Sequence, residues 1–132
     1  MYHVLLAVDE GEDQSRRQAE AVAGLPEAPD AVRVTVFHAF TDNPSGASAT
    51  RIEGVRRARD ALEEDGIEVR VGEGSGDPAE SIVDEAAATD ADAICVGGRK
   101  RSPTGKALFG SVSQQVILNS PVPVFLPGRA EE

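Results

Sequence analysis

Hydrophobic residues along the chain fall into short runs separated by amphipathic segments. The runs are rich in β-branched residues and predict five strands, at Tyr2–Val8, Val32–Phe40, Ile67–Val71, Ala93–Val96 and Val122–Leu126. Between them, apolar positions recur three or four residues apart. This spacing predicts helices over Gln14–Ala23, Thr50–Glu64, Pro78–Ala88 and Ser111–Leu118. The segment Asp77-Pro78-Ala79-Glu80 supplies an N-cap, a first-turn proline and a capping-box glutamate for the third helix.

The alternation of strands and helices predicts an α/β fold. Consecutive parallel strands need crossover helices, and right-handed crossovers place these helices on the faces of the sheet. We therefore expect an open, doubly wound, five-stranded parallel sheet. The chain has 132 residues, the length of one domain, and we expect a single domain over residues 1–132.

The composition indicates a folded, soluble chain, with 40% hydrophobic and 27% charged residues. No apolar run approaches the ~18 residues of a spanning helix, and the apolar N-terminal run soon meets Asp9 and Glu10. We therefore expect neither secretion nor membrane insertion. Cys95 is the only cysteine, so the chain makes no internal disulfide. These features predict a cytoplasmic protein.

The charge is strongly negative and unevenly distributed. The chain has 23 acidic and 13 basic residues, a net charge of −10, and only two of the bases are lysines. This field disfavours binding to nucleic acids and anionic membranes. An acidic, lysine-poor composition also suits a high-salt cytoplasm, so we hypothesise a halophilic archaeal source. Residues 93–130, in contrast, hold five bases and no acid.

Candidate chemistry concentrates at the ends of two strands and the start of one helix. Ligands of doubly wound folds bind beyond the carboxyl ends of the strands, where strand order reverses. The first strand ends in Ala7-Val8-Asp9, the fourth ends in Val96-Gly97-Gly98, and the last helix starts at Gly110-Ser111-Val112-Ser113. A helix N-terminus offers free N–H groups and partial positive charge, so the last segment can cradle phosphate.

These residues resemble the universal stress protein family, whose nucleotide-binding members carry Gly-x2-Gly-x9-Gly-Ser/Thr after the fourth strand. Gly97 matches the first glycine, Gly110-Ser111 match the last pair at the required spacing, and Asp9 matches the acid that ends the first strand. The segments ADAICVGG, GDPAESI and PVPVFL are also similar to the family's. One position departs from the motif, because Lys100 stands where the second glycine belongs.

The resemblance implies a Rossmann-like fold of the adenine-nucleotide alpha-hydrolase type, with strand order 3-2-1-4-5. It also implies ATP, with or without Mg²⁺, as the ligand. The expected nucleotide-binding residues are Ala7, Val8, Asp9, Ala39, Val96, Gly97, Gly98, Lys100, Gly110, Ser111, Val112 and Ser113. The last strand, Val122–Leu126, would lie at an apolar sheet edge, which predicts a homodimer through it. The function implied is a nucleotide-sensing module in stress response.

Alternatives remain open at several positions. Lys100 either pairs with phosphate or blocks the loop, and a lysine in a left-handed conformation there would cost ~1–2 kcal/mol. Asp9 and the Gly110-Ser111 pair are also compatible with simple helix capping. His3, His38 and Cys95 fit structural positions better than ligand positions. The rival function is a nucleotide-free dimeric interaction module, and a weak ATPase or phosphotransferase comes third because no general base is evident.

Overall fold

The computed structural model describes residues 1–8, 12–40, 48–97, 100–101, 107–108 and 110–127. Its strands are β1 (Tyr2–Ala7), β2 (Val32–Phe40), β3 (Glu68–Ser75), β4 (Ala93–Cys95), β5 (Lys100–Arg101), β6 (Ala107–Leu108) and β7 (Val124–Phe125). Its α-helices are α1 (Glu12–Ala23), α2 (Ala28–Ala31), α3 (Glu53–Glu64), α4 (Pro78–Ala88) and α5 (Ser111–Asn119). A 3₁₀ turn covers Ala49–Arg51. No helix in these ranges is long and apolar enough to cross a bilayer.

Five strands form one parallel sheet in the order β3-β2-β1-β4-β7. Because β7 is the fifth strand of this sheet, the predicted order 3-2-1-4-5 is confirmed. A separate antiparallel pair, β5 with β6, was not expected from the sequence.

Helices cover both faces of the sheet, as predicted. On one face, α1 and α3 pack against the even-numbered side chains of β1 and β2, such as Leu6 and Val36. On the other face, α4 and α5 pack against Leu5, Phe37 and Ile94. Burial of these two apolar layers is the main stabilising contribution, at about 25 cal/mol per Å² of apolar surface removed from water.

The strand β3 is longer than the predicted run, which ended at Val71. It continues through Gly72 and Gly74 to Ser75 and pairs with the end of β2 at Phe40. The ring of Phe37 lies across these glycines, and a Cβ on Gly74 would come 2.9 Å from the ring atom Cζ. The two glycines therefore make room for an aromatic ring in the core.

The last strand is shorter than predicted, since only Val124–Phe125 of Val122–Leu126 pairs with β4. Pro123 lacks an N–H group and limits the ladder. Just before it, the hydroxyl of Ser120 accepts from the N–H of Val122 and donates to the carbonyl of the same residue. The ladder begins directly after this turn, where the carbonyl of Pro123 accepts from the N–H of Ile94 on β4 at 2.9 Å.

The helix predicted over Thr50–Glu64 is divided. Residues Ala49–Arg51 form the 3₁₀ turn, and α3 starts at Glu53 after the extended residue Ile52. The carboxylate of Glu73 on β3 accepts from the N–H of Ala49 at 3.1 Å, which fixes the turn to the sheet. For α4, the predicted N-cap and first-turn proline are confirmed, because Asp77 Oδ2 accepts from the N–H of Glu80 at 3.0 Å and Pro78 opens the helix.

Candidate functional site

The candidate site lies where β1 and β4 separate. Their paired register runs from Val4 and Ala93 to Leu6 and Cys95 and ends there. Beyond this point, the N–H of Val8 donates to Phe37 on β2, whereas the N–H of Val96 donates to Phe125 on β7. The two strands thus form a fork, which opens between the ends of β1 and β4. The fork is the position at which the strand order reverses and ligands of such sheets bind.

Small and apolar side chains line one side of the fork. Ala7 is the last residue of β1 and Ala39 is the second-last residue of β2. Both are partly exposed and pack with Val112 against the core layer under α4 and α5. Val96 belongs to the same layer and is buried. Because alanine side chains are small and apolar, these strand ends give the crevice where ligands of such sheets bind an apolar wall suited to a flat ring. The structure therefore brings together four of the predicted site residues.

The first turn of α5 stands at the same crevice. Gly110 is the N-cap residue and has no side chain with which to cap the helix. The first intrahelical bond runs from the N–H of Gln114 to the carbonyl of Gly110. The N–H groups of Ser111, Val112 and Ser113 therefore have no acceptor within the helix, and they carry the positive end of its dipole.

The two serines of this turn have different environments. Ser111 is exposed, whereas Ser113 is 6% exposed. The hydroxyl of Ser113 donates a hydrogen bond to the carbonyl of Gly97, which joins α5 to the end of β4. This bond uses the hydroxyl proton of Ser113, so the side chain that can donate to a ligand at this turn is Ser111.

Gly97 is enclosed by two glutamines of α1 that the sequence reasoning missed. A Cβ on Gly97 would collide with Nε2 of Gln14 and would lie 2.7 Å from Oε1 of Gln18. Gln18 is 1% exposed, and its Nε2 donates to the carbonyl of Ala7 at 2.9 Å. The first position of the motif is therefore restricted to glycine, because a larger side chain would collide with these glutamines on the face of the sheet opposite α5.

Val8 and His38 support the end of β1. The ring Nδ1 of His38 lies 2.9 Å from the carbonyl of Val8. Since a carbonyl only accepts, Nδ1 carries the proton of this bond. Val8 itself is 5% exposed, and its N–H and carbonyl are both bonded within the protein. Val8 therefore positions the chain that leads to Asp9, and its own polar groups are not free for a ligand.

The remaining predicted positions are described in part or not at all. Asp9 and Gly98 lie outside the described residues. Lys100 belongs to β5 and pairs with Leu108 on β6. Its backbone is extended, so the left-handed conformation that would penalise a lysine is not used here.

Two other titratable groups have structural roles, as the sequence suggested. Cys95 is fully buried, and burial raises the pKa of its thiol to about 12, against a smaller opposite effect of a hydrogen bond with Gln18. Such a thiol is not a nucleophile at neutral pH. His3 is buried, with its Nε2 2.8 Å from Thr35 Oγ1. Within the described ranges, no cluster of His, Cys, Asp or Glu has the arrangement of a metal site.

The arrangement can bind a molecule that has a flat apolar part and an anionic part. The apolar wall at Ala7 and Ala39 suits the first, and the N–H groups of α5 suit the second. In the part of the chain that the structure describes, nothing at the crevice has the geometry of a nucleophile with its base.

Comparisons with known proteins agree with this architecture. A profile described as "Universal stress protein family" matches residues 1–126. A universal stress protein of Thermus aquaticus is 30% identical, over 96% of this chain and 98% of that protein. The solved structure of a universal stress protein from Archaeoglobus fulgidus is 32% identical, with a TM-score of 0.78, and covers 96% of this chain and 98% of that one.

A second structure from the same organism was determined in complex with dAMP. It is 27% identical to this chain, with a TM-score of 0.72, over 96% of this chain and 97% of that one. The fold, the family profile and the similarity over nearly the full chain all indicate the same family. This chain belongs to the universal stress protein family.

Proposed function

We propose that this protein binds an adenine nucleotide, specifically ATP, in the crevice between the fork and α5, and that it acts as a nucleotide-sensing module in stress response. The observation that carries the proposal is the position of the free N–H groups of α5 beside the end of β4. The bond between Ser113 and Gly97 holds them there. A related structure of 27% identity contains dAMP, which supports the adenine nucleotide class.

The base and ribose would occupy the apolar part of the crevice. Ala7 and Ala39 offer a surface against which a purine ring can stack, and Val96 forms its floor. In the sequence, Asp9 follows Val8, one residue beyond the end of β1, so its carboxylate is our candidate acceptor for nucleoside N–H or O–H groups. A hydrogen bond to a charged group contributes about 1.5–3 kcal/mol.

The phosphates would lie at the first turn of α5. The N–H groups of residues 111–113 and the exposed hydroxyl of Ser111 are suited to phosphate oxygens. Lys100 and its basic neighbours Arg99, Arg101 and Lys106 add charge of the right sign. Magnesium would then be held mainly by the phosphates, as is usual for Mg²⁺ with nucleotides.

We propose a homodimer through β7 as the working state. In the described part of the sheet, β7 pairs with β4 on one side and is an edge strand on the other. A cavity of about 190 Å³ lies beside this edge, lined by Ala21 and Val22 of α1, by Leu25 and Cys95, and by residues 125–127. An apolar edge of this kind is suited to pairing with a second copy. We also propose a cytoplasmic setting at high salt, which would screen the net charge of −10.

The second candidate is a nucleotide-free interaction module with the same fold. The observation that favours it is the exposure of Leu118 (70%) and Ile117 (39%) on α5. Two neighbouring apolar side chains in solvent mark a surface suited to a protein partner. This candidate uses α5 and β7 for contacts and leaves the crevice empty.

The nucleotide content of the purified protein separates the two candidates. Heat or acid releases bound nucleotide from the folded protein, and chromatography identifies it. Adenine nucleotide in stoichiometric amount, lost in a Gly110→Val variant that remains folded, supports the first candidate. Protein without nucleotide that also fails to take up added ATP supports the second.

A further inference from the structure

The side chain of Gln18 occupies the fork between β1 and β4. It is almost fully buried, and buried amides are retained where their polar atoms are bonded. Its Nε2 donates to the carbonyl of Ala7, and because a carbonyl only accepts, this bond identifies the nitrogen end of the amide. The oxygen end turns toward β4, where Oε1 and Cδ would lie 2.7 Å and 3.0 Å from a Cβ on Gly97.

One side chain thus spans the two strands just beyond the last residues that pair. The register of β1 with β4 ends at Leu6 and Cys95, and each strand then bonds to its outer neighbour. Gln18 contacts both strands at this level, through Ala7 on β1 and through Gly97 after β4. Its amide therefore bridges the two strands where their ladder ends, through a hydrogen bond to β1 and close packing against Gly97.

Gly97 is also held from the other face of the sheet. Its carbonyl accepts from the hydroxyl of Ser113, in the first turn of α5. Gln18 and Ser113 thus contact the same glycine from opposite sides of the sheet, so we expect a displacement at Gln18 to move Gly97 relative to α5. Close-packed interiors transmit such displacements because they contain few voids.

We propose that Gln18 is a positioning residue for the phosphate end of the nucleotide site, acting through Gly97 and Ser113. This role rests on the proposed nucleotide binding. It adds to the site a residue of α1, which lies on the opposite face of the sheet from α5. Gln18 does not touch the ligand in this account. It holds the end of β4 at the place where the N–H groups of α5 meet the phosphates.

The test uses the full chain and the variant Gln18→Met, which keeps the unbranched shape but removes the amide. Calorimetric titrations with ATP–Mg and with adenosine are compared for wild type, Gln18→Met and the control Ile67→Val. Ile67 is buried just before β3, at the opposite end of the sheet from the fork. We expect Gln18→Met to weaken ATP binding by about tenfold and adenosine binding by less, with the control unchanged.

Equal losses for both ligands, or an ATP affinity within about twofold of wild type, would overturn the proposal. So would a matching loss in Ile67→Val, because that result would make the effect one of general stability. If Gln18→Met does not fold, Gln18→Leu replaces it, since leucine also removes the donor to Ala7 and buries no charge.

A second measurement separates this proposal from the proposed function. In the nucleotide-free protein, the backbone amide resonances of Gly97 and Ser113 should shift in Gln18→Met and stay in place in Ile67→Val. If wild type binds no nucleotide, that result refutes the proposed function. The resonances then test by themselves whether Gln18 positions Gly97 relative to Ser113. Unchanged resonances at both residues would refute this positioning.

Discussion

The hydroxyl of Ser113 donates a hydrogen bond to the main-chain carbonyl of Gly97, which joins the first turn of α5 to the end of β4. These residues are sixteen positions apart in the chain. Gly97 is the first glycine of the motif that suggested a nucleotide site, and Ser113 lies two residues beyond the end of that motif. The bond holds the N-terminus of α5 beside the end of β4, so the N–H groups of α5 face the crevice.

The first prediction compares the two serines of this turn. Ser113→Ala removes a buried bond and leaves the carbonyl of Gly97 without its partner, so it should lower the free energy of unfolding by about 1–3 kcal/mol and weaken ATP binding. Ser111→Ala removes an exposed hydroxyl, so it should weaken ATP binding with little effect on stability. Urea unfolding and calorimetric titration measure the two quantities. Equal stability losses in both variants would contradict this account.

Much of the fold was predictable because its signals are local. The alternating strands and helices and the cap at Asp77 follow from such signals, whereas the strand order, which the structure also confirms, was implied by the family resemblance. The extension of β3 was not predictable, since Gly72 and Gly74 read as loop residues until the ring of Phe37 is seen to cross them. Register with a neighbouring strand depends on such non-local contacts.

The site was predictable from its backbone-rich motif but not from its supporting side chains. The sequence pointed to Gly97 and to Gly110–Ser113, and the structure brings them together. Gln14 and Gln18 were missed, because a glutamine in a helix is usually a solvent-exposed residue. The signal that could have found Gln18 is its spacing from Ala19 and Val22, which places it next to the buried face of α1.

The second prediction concerns the base end of the site. Asp9→Ala removes the candidate acceptor for the nucleoside, so ATP binding should weaken by about tenfold or more, the equivalent of a charge-assisted hydrogen bond. Asp9→Asn serves as the matched variant, because it keeps the shape and removes the charge. Calorimetric titration with ATP and with adenosine should show the same proportional loss for both ligands. Wild-type affinity in Asp9→Ala would assign that carboxylate a structural role.

The third prediction is a pH dependence that arises at His3. Burial lowers the pKa of His3 below 6.5. The charges of Arg33 and Arg70 also lower this pKa, whereas the Thr89 main chain and the charge of Asp92 raise it by less. Its Nδ1 makes no hydrogen bond of good geometry with the described residues. The unfolded chain therefore binds a proton more readily than the folded one, so stability should fall as pH falls below about 6.5.

Urea unfolding between pH 7.5 and pH 5 measures this slope, and His3→Gln should flatten it. The carboxylates of the chain are common to both proteins and cancel in the comparison. The same slope in both proteins would show that His3 does not contribute.

The fourth prediction concerns the assembly. If the edge of β7 pairs with a second copy, light scattering should give twice the chain mass of 13.8 kDa. The dimer should strengthen as salt rises, because two chains of net charge −10 repel each other and salt screens this repulsion. A monomer at micromolar concentration, in both low and molar salt, would contradict a dimer through β7.

The most direct test of nucleotide binding is a calorimetric titration of ATP–Mg into the nucleotide-free protein, with Lys100→Gly and Gly110→Val in parallel. Wild type should bind, and Gly110→Val should bind much more weakly, because a branched side chain at the N-cap of α5 stands where the phosphates approach. If the amine of Lys100 contacts phosphate, Lys100→Gly should bind equally or more weakly and with less salt dependence; if it blocks the loop, Lys100→Gly should bind more tightly. An absence of binding in both wild type and Lys100→Gly would contradict the account and favour the interaction module.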